Sequence, residues 1–239
     1  MTGLSVSEIS FSYGPKRALN NVSFSIGKGA FCALLGPNGA GKSTLFGLLT
    51  RLFTTPLGQI SIAGHDLARA PRKALAEIGV VFQQTTLDLD LTVKSNLQYF
   101  AALHGLSGRQ AGMPIEAALD RLGMRERANE RTRDLNGGHR RRAEIARALI
   151  HRPSVLLLDE PTAGLDAASR AGITNHVHEL CYSSELTVLW ATHLTDEVRP
   201  EDRLVVLHEG SVLADGVAAE ITDKKPLSEQ FLQMTATPG

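Results

Sequence analysis

Eight consecutive residues, Gly36-Pro37-Asn38-Gly39-Ala40-Gly41-Lys42-Ser43, carry the spacing G-x-x-x-x-G-K-[ST]. Glycines at this spacing let the backbone curl until successive N–H groups point at one anion, and a helix starting at the loop's end adds its positive pole. Lys42 supplies a point charge for the β- and γ-phosphates of a nucleoside triphosphate, the Ser43 hydroxyl a ligand for Mg²⁺, and Thr44 a further phosphate hydrogen bond. A glycine-rich turn with an exposed lysine would have the same composition, and the setting argues against it. An apolar run, residues 31–35, leads in, and a helical pattern leads out. A second pair, Asp159-Glu160, ends the apolar run 155–158. Open α/β sheets bind ligands beyond the carboxyl ends of their strands, so Asp159 would hold Mg²⁺ directly or through water, and Glu160 would accept a proton from an attacking water. Carboxylates at a strand end commonly do no more than meet solvent; the phosphate loop earlier in the chain favours the chemical reading.

The elements that must hold these residues follow from the hydrophobic pattern. Short apolar runs alternate with helical patterns, which predicts an α/β protein with a mainly parallel sheet. Strands are expected at 4–11, 22–26, 31–35, 58–62, 78–82, 155–158, 187–191, 203–208 and 211–215, and helices at 42–51, 93–103, 115–122, 138–150 and 167–181. The first two and last two strands read as antiparallel, joined by brief turns such as Glu209-Gly210. From about Gln84 to Asn136 no convincing strand occurs, and a helical insertion at about 84–152 within one domain, 1–223, is expected. The polar tail 224–239 is expected to fray.

Composition narrows the function class. The chain has 239 residues, 43% hydrophobic and 21% charged, which disfavours disordered and fibrous readings. Net charge is zero, so direct nucleic-acid binding is not expected. The zero conceals a distribution: residues 121–152 carry ten basic and four acidic side chains, and residues 153–239 five and fourteen. Cys32 and Cys181 lie far apart in apolar surroundings, as buried thiols of a reducing compartment would, and no leader or membrane-spanning run is read.

Five further motifs occur in order: Phe11-Ser12-Tyr13-Gly14, Val81-Phe82-Gln83, Leu135-Asn136-Gly137-Gly138-His139, Ala163-Gly164-Leu165-Asp166 and Ala191-Thr192-His193. Asn136, Gly137 and Gly138 open a helical pattern, where bare N–H groups make an anion site; Arg140, Arg141 and Arg142 in its first turn sit unfavourably for the dipole unless an anion arrives there, and a solvated or acidic-partner-facing surface is the equal alternative for them. Together with the phosphate loop and Asp159-Glu160, these motifs resemble the ATP-binding subunits of ABC transporters over residues 4–216.

That resemblance implies a P-loop NTPase core with a mainly parallel sheet, an N-terminal antiparallel β portion and an inserted helical subdomain. It implies an ATPase using ATP and Mg²⁺, in which Tyr13 stacks on adenine, Gln83 touches Mg²⁺ or the water, His193 senses the γ-phosphate and Asp166 makes a dimer contact. Asn136, Gly137 and Gly138 would then contact the γ-phosphate held by a second copy, in a head-to-tail pair docked on integral membrane permease subunits at the cytoplasmic face of the inner membrane. The docking surface would be the helical insertion after Gln83. Residues 87–93 resemble the exporters of drugs and nodulation factors, and residues 135–142 a subgroup associated with pyrroloquinoline-quinone-dependent alcohol oxidation. Two positions depart from the family pattern: Asn136 replaces a serine and His139 a glutamine. The alternatives are an ABC-type ATPase acting on the ribosome or DNA, whose relatives usually carry two cassettes or a long coiled-coil insertion, and a P-loop kinase or switch module, which leaves Gln83 and His193 unexplained.

Overall fold

The computed structural model describes residues 2–222 and 225–236. Its chain order is β1 (Thr2–Tyr13), β2 (Lys16–Gly27), β3 (Phe31–Leu35), α1 (Lys42–Leu49), β4 (Gln59–Ile62), β5 (His65–Asp66), α2 (Pro71–Ala76), β6 (Ile78–Val81), α3 (Val93–Leu103), α4 (Arg109–Arg121), α5 (Gly137–Leu149), β7 (Val155–Asp159), α6 (Ala167–Ser184), β8 (Thr187–Thr192), β9 (Arg203–His208), β10 (Ser211–Val217), α7 (Ala218–Thr222) and α8 (Leu227–Thr235).

Two sheets form. An antiparallel sheet has the order β2-β1-β4-β5, and a larger one the order β10-β9-β3-β8-β7-β6, parallel throughout except for the edge strand β10. The parallel strands of the larger sheet are near-continuous apolar runs because both faces are covered there, whereas the edge strand β10 is partly exposed. Phe31, Ala33, Leu35, Leu156 and Leu158 pack with the helical insertion and α6, whereas the alternate residues Cys32, Leu34, Val155 and Leu157 pack under α1 and the antiparallel sheet. Period-two alternation thus splits one strand between two cores.

Parallel register sets the site. Leu35 lies opposite Thr192, Asp159 opposite Ala191, and Val81 opposite Leu158, so four strands end along one edge. Gly36, Glu160 and His193 each come first after such an end, and Gln83 second. The backbone ties them further: Gly36 N–H donates to Thr192 O at 3.1 Å and Glu160 N–H to Ala191 O at 3.0 Å.

Several boundaries differ from expectation. Helix α4 starts at Arg109, six residues before the expected 115, and carries Pro114 in its interior. The missing hydrogen bond is outweighed by burial of Ala111, Ile115, Ala118 and Leu119. α2, absent from the sequence reading, begins with proline at its first turn. The tail does not fray before Thr235: α8 turns Leu227, Phe231 and Met234 onto the larger core, while Asp223, Lys224 and Thr237 to Gly239 lie outside the described residues. Between 84 and 136 the described residues form helices and the one-turn segments Arg125–Arg127 and Thr132–Asp134, with one isolated bridge, Thr92 to Arg131. Cys32 and Cys181 are free and buried, and burial pushes both thiols up, Cys181 to about 11.

Candidate active site

The phosphate loop is held open by contacts that leave no space for larger side chains. A Cβ at Gly36 would stand 2.4 Å from Leu207 O, and Gly41, which caps α1, adopts φ +107°, a left-handed conformation that L side chains avoid. The turn between β9 and β10 props the loop from below, Gly210 N–H donating to Ala40 O at 2.9 Å. No acidic residue lies in the first turn of α1, so its positive pole remains unneutralised by its own helix. Lys42, only 5% exposed, donates from Nζ to Gly36 O at 2.7 Å and Pro37 O at 3.2 Å.

Glu160 is the hub. Its Oε1 lies 3.3 Å from Lys42 Nζ and 3.4 Å from His193 Nδ1, and its Oε2 accepts from Gln83 Nε2 at 3.2 Å. Its backbone has φ +44°, unusual for a residue with a side chain and an arrangement that concentrates at functional sites. A water at the loop's mouth would meet a carboxylate flanked by an ammonium, an amide and an imidazole, the constellation for abstracting a proton from that water.

Asp159, one residue earlier, is buried. Burial and the neighbouring Glu160 charge push its carboxyl above the usual carboxylate range, against the Ser43 hydroxyl and the Lys42 ammonium. Its Oδ1 is buried with no hydrogen-bond partner among the described residues. A buried, unsatisfied carboxylate oxygen beside a serine hydroxyl fits a divalent cation.

Lys42, Ser43, Gln83, Glu160 and His193 line one cleft of about 760 Å³, together with Tyr13, Asn38, Gly39, Gly41 and Thr44. Tyr13 is 47% exposed, its hydroxyl 3.5 Å from Thr44 Oγ1 and its ring set edge-on against Phe11 and Phe53, which fixes its plane and leaves area for a flat ring to cover.

Asn136, Gly137, Gly138 and Asp166 do not join this cleft. Asn136 caps α5, its Oδ1 accepting from His139 N–H at 2.8 Å, so the amide N–H₂ is the part left to donate. Asp166 caps α6 in the same way, accepting from Ser169 N–H at 2.9 Å and Ser169 Oγ at 2.7 Å. Gly137 and Gly138 lie against Leu165 and Ser169, so the two helix starts form one surface apart from the phosphate loop.

A family model described as ABC transporter matches residues 19–163, more than half of the chain. The chain belongs to the ABC transporter family. It is an ATP-binding cassette, and cassettes of this family hydrolyse ATP to power transport. It is 35% identical to the daunorubicin resistance ATP-binding protein DrrA3 of Streptomyces coeruleorubidus, over 92% of this chain and 70% of that one. It is 38% identical to the Nod factor export ATP-binding protein I of Rhizobium meliloti, over 93% of this chain and 66% of that one. In structure it is similar to cbiO1 from Clostridium perfringens, part of the ABC transporter complex cbiONQ, with a TM-score of 0.86 at 30% identity, covering 97% of this chain and 95% of that one.

Within the ABC cassette, the arginines after the signature are not spent as the charge reading expected. Arg141 turns inward: Nη1 donates to Phe82 O at 2.7 Å and to Glu144 Oε2 at 2.7 Å, and Nη2 to Gln83 O at 2.9 Å. Arg140 donates to Leu135 O at 3.1 Å, and Arg142 packs beside Gly123 and Gly172. Arg141 therefore holds the Gln83 segment onto the helical insertion, and the run does not offer three arginines to an anion. Glu144 completes the link by accepting from Thr86 N–H at 2.9 Å. Sequence reasoning also passed over Lys16 and Arg17, which the β1–β2 turn sets on the cleft rim beside Tyr13. Their nearness to Tyr13 across Gly14-Pro15 was the available signal.

Proposed function

We propose that two copies of this cassette pair head to tail around two ATP molecules and that the pairing drives an export permease at the cytoplasmic face of a membrane. The observation that carries this reading is the division of the site. One chain gathers the phosphate loop, Glu160, Gln83 and His193 in the cleft, while Asn136, Gly137, Gly138 and Asp166 form a separate exposed surface that a second copy can bring to the γ-phosphate. In this reading Lys42, Ser43, Thr44 and the loop N–H groups from Gly36 through Asn38, Gly39, Ala40 and Gly41 bind the phosphates, and Tyr13 stacks on adenine. Ser43, Asp159 and Gln83 would hold Mg²⁺, which supplies charge neutralisation at the β- and γ-phosphates. Glu160 accepts the proton of the attacking water, and His193 orients against the γ-phosphate. Export as the direction is supported by the names of the relatives, a daunorubicin resistance protein and a Nod factor export protein.

The permease contact is read at the junction of core and insertion. A groove of about 360 Å³ there is walled by Val80, Phe82, Phe100 and the exposed Tyr99 and Leu103. No helix among the described residues is long and apolar enough to cross a membrane, in keeping with a separate permease. The test is Glu160→Gln. In the presence of Mg²⁺ and ATP this variant is expected to elute as a dimer while losing ATPase activity; unchanged hydrolysis would remove Glu160 from its assigned role, and a monomer under saturating ATP would sink the paired reading.

A further inference from the structure

Glu197 is buried, 3% exposed, and no step described above uses it. It ends the single turn Thr195–Glu197 that follows His193, and both of its carboxyl oxygens are engaged: Oε1 with the Thr162 hydroxyl, and Oε2 with Trp190 Nε1, which donates at 3.0 Å. Among the described residues it has no ion pair. Burying an acid without a cation is unfavourable, and an apolar side chain would fill this space at less cost. What distinguishes Glu197 is where its partners lie. Thr162 stands two residues after Glu160 and is itself buried; Trp190 lies on β8, three residues before His193, and is fully buried. One carboxyl group therefore joins the turn after the imidazole, the strand before it and the segment after the candidate base. The same turn is pinned from outside by Arg170, whose Nη2 donates to Asp196 at 2.9 Å, and by Leu194 N–H donating to Thr192 Oγ1 at 3.0 Å.

We propose that Glu197 is a positioning residue that keeps His193 in register with Glu160. The inference rests on the roles read for those two residues above. The His193 Nδ1 to Glu160 Oε1 separation is 3.4 Å, and hydrolysis requires both groups to meet the same water and γ-phosphate. Removing Glu197 frees the His193 turn from the Thr162 segment, while the phosphate loop and Tyr13, which bind nucleotide, keep their own contacts. Glutamine can substitute: its Oε1 accepts from the Trp190 N–H, and its N–H₂ donates to the Thr162 hydroxyl, which can donate or accept.

The test is steady-state Mg²⁺-ATPase of the purified full chain, with kcat and KM for ATP measured separately. Glu197→Ala is expected to lower kcat about tenfold or more with KM within about twofold, and Glu197→Gln to retain kcat within about threefold. In a His193→Ala background, Glu197→Ala is expected to cost less than about twofold further, since a residue acting through His193 has nothing left to position. Thr162→Val removes one partner while keeping the core's shape, so it gives the same kcat-selective loss if Glu197→Ala does not yield folded protein. The proposal is overturned by a kcat that Glu197→Ala and Thr162→Val leave unchanged, by a loss that falls on KM instead, or by losses that multiply in the double variant. If His193→Ala itself leaves kcat unchanged, the role read for His193 fails and takes this proposal with it; if His193→Ala is inactive and Glu197→Ala is not, only this proposal fails.

Discussion

Lys42 shows how one side chain is prepared by its surroundings. Its ammonium bonds back to the carbonyls of Gly36 and Pro37 and pairs with Glu160, so the cation stands at the loop's mouth, where phosphates would compete for it. Lys42→Ala removes that charge and leaves Glu160 without its cation, and the affinity for ATP is expected to fall at least about tenfold by equilibrium binding. The residue types at this site were legible in the sequence because chemistry restricts them: Lys42, Glu160, Gln83 and His193 all reach one cleft, and Asp159 is buried beside Ser43 and Glu160. The mutual distances were not legible. That Glu160 meets Lys42, Gln83 and His193 at once follows from strand register, which no local pattern encodes.

At the scale of elements, the signature helix α5 joins an observed cap to the γ-phosphate contact proposed for its first residues. Asn136 fills the capping position with its carbonyl oxygen, a task serine also performs, which explains in physical terms why the departure from the family pattern is tolerated. Asn136→Ala is expected to destabilise the chain by about 1 kcal/mol in urea unfolding, and Asn136→Ser to restore most of that stability. The arginines that follow were visible as a basic run, but their destinations were not. The inward turn of Arg141 depends on carbonyls of Phe82 and Gln83, about sixty residues away, and on Glu144 one turn along the helix. α4 and α8 make the same point. Pro114 and a polar tail are local signals against helix, and burial of an apolar face against distant residues overrides them.

For the whole molecule, stability and the proposed permease contact meet at the groove between core and insertion. There His151 stacks on His104 at 4.0 Å with the rings 7° from parallel, and its Nε2 bonds to Ile78 O at 2.9 Å. Burial and the neighbouring His104 push His151 down from 6.5 to about 4, against Ile78 O and Glu77. The unfolded chain therefore binds this proton more readily than the folded one, so the stability His151 contributes is complete above 6.5 and is lost as pH falls toward about 4. Between about pH 7 and about pH 5 the Tm of the parent is expected to drop a few degrees more than that of His151→Gln in a thermal scan. At the open side of the same groove Leu103 is 64% exposed. Leu103→Glu places a charge where an apolar partner segment would sit. It is expected to abolish co-purification with the permease while leaving the ATPase of the isolated chain within about twofold of the parent.

The sequence by itself determined the chemistry and the layer plan. Phosphate-loop spacing, the carboxylate pair and the apolar runs each state a local requirement, of backbone curvature, proton acceptance or two-faced burial, that only a few residue types meet. Only the tertiary structure decided which of those residues share a site. Parallel pairing brings the ends of β3, β6, β7 and β8 to one edge and so unites Gly36, Gln83, Glu160 and His193. The same packing sets the Asn136–Asp166 surface apart and spends Arg141 and Glu197 on holding segments together. The reason is that these outcomes depend on register and burial between residues far apart in the chain, and such contacts exist only once the sheet has formed.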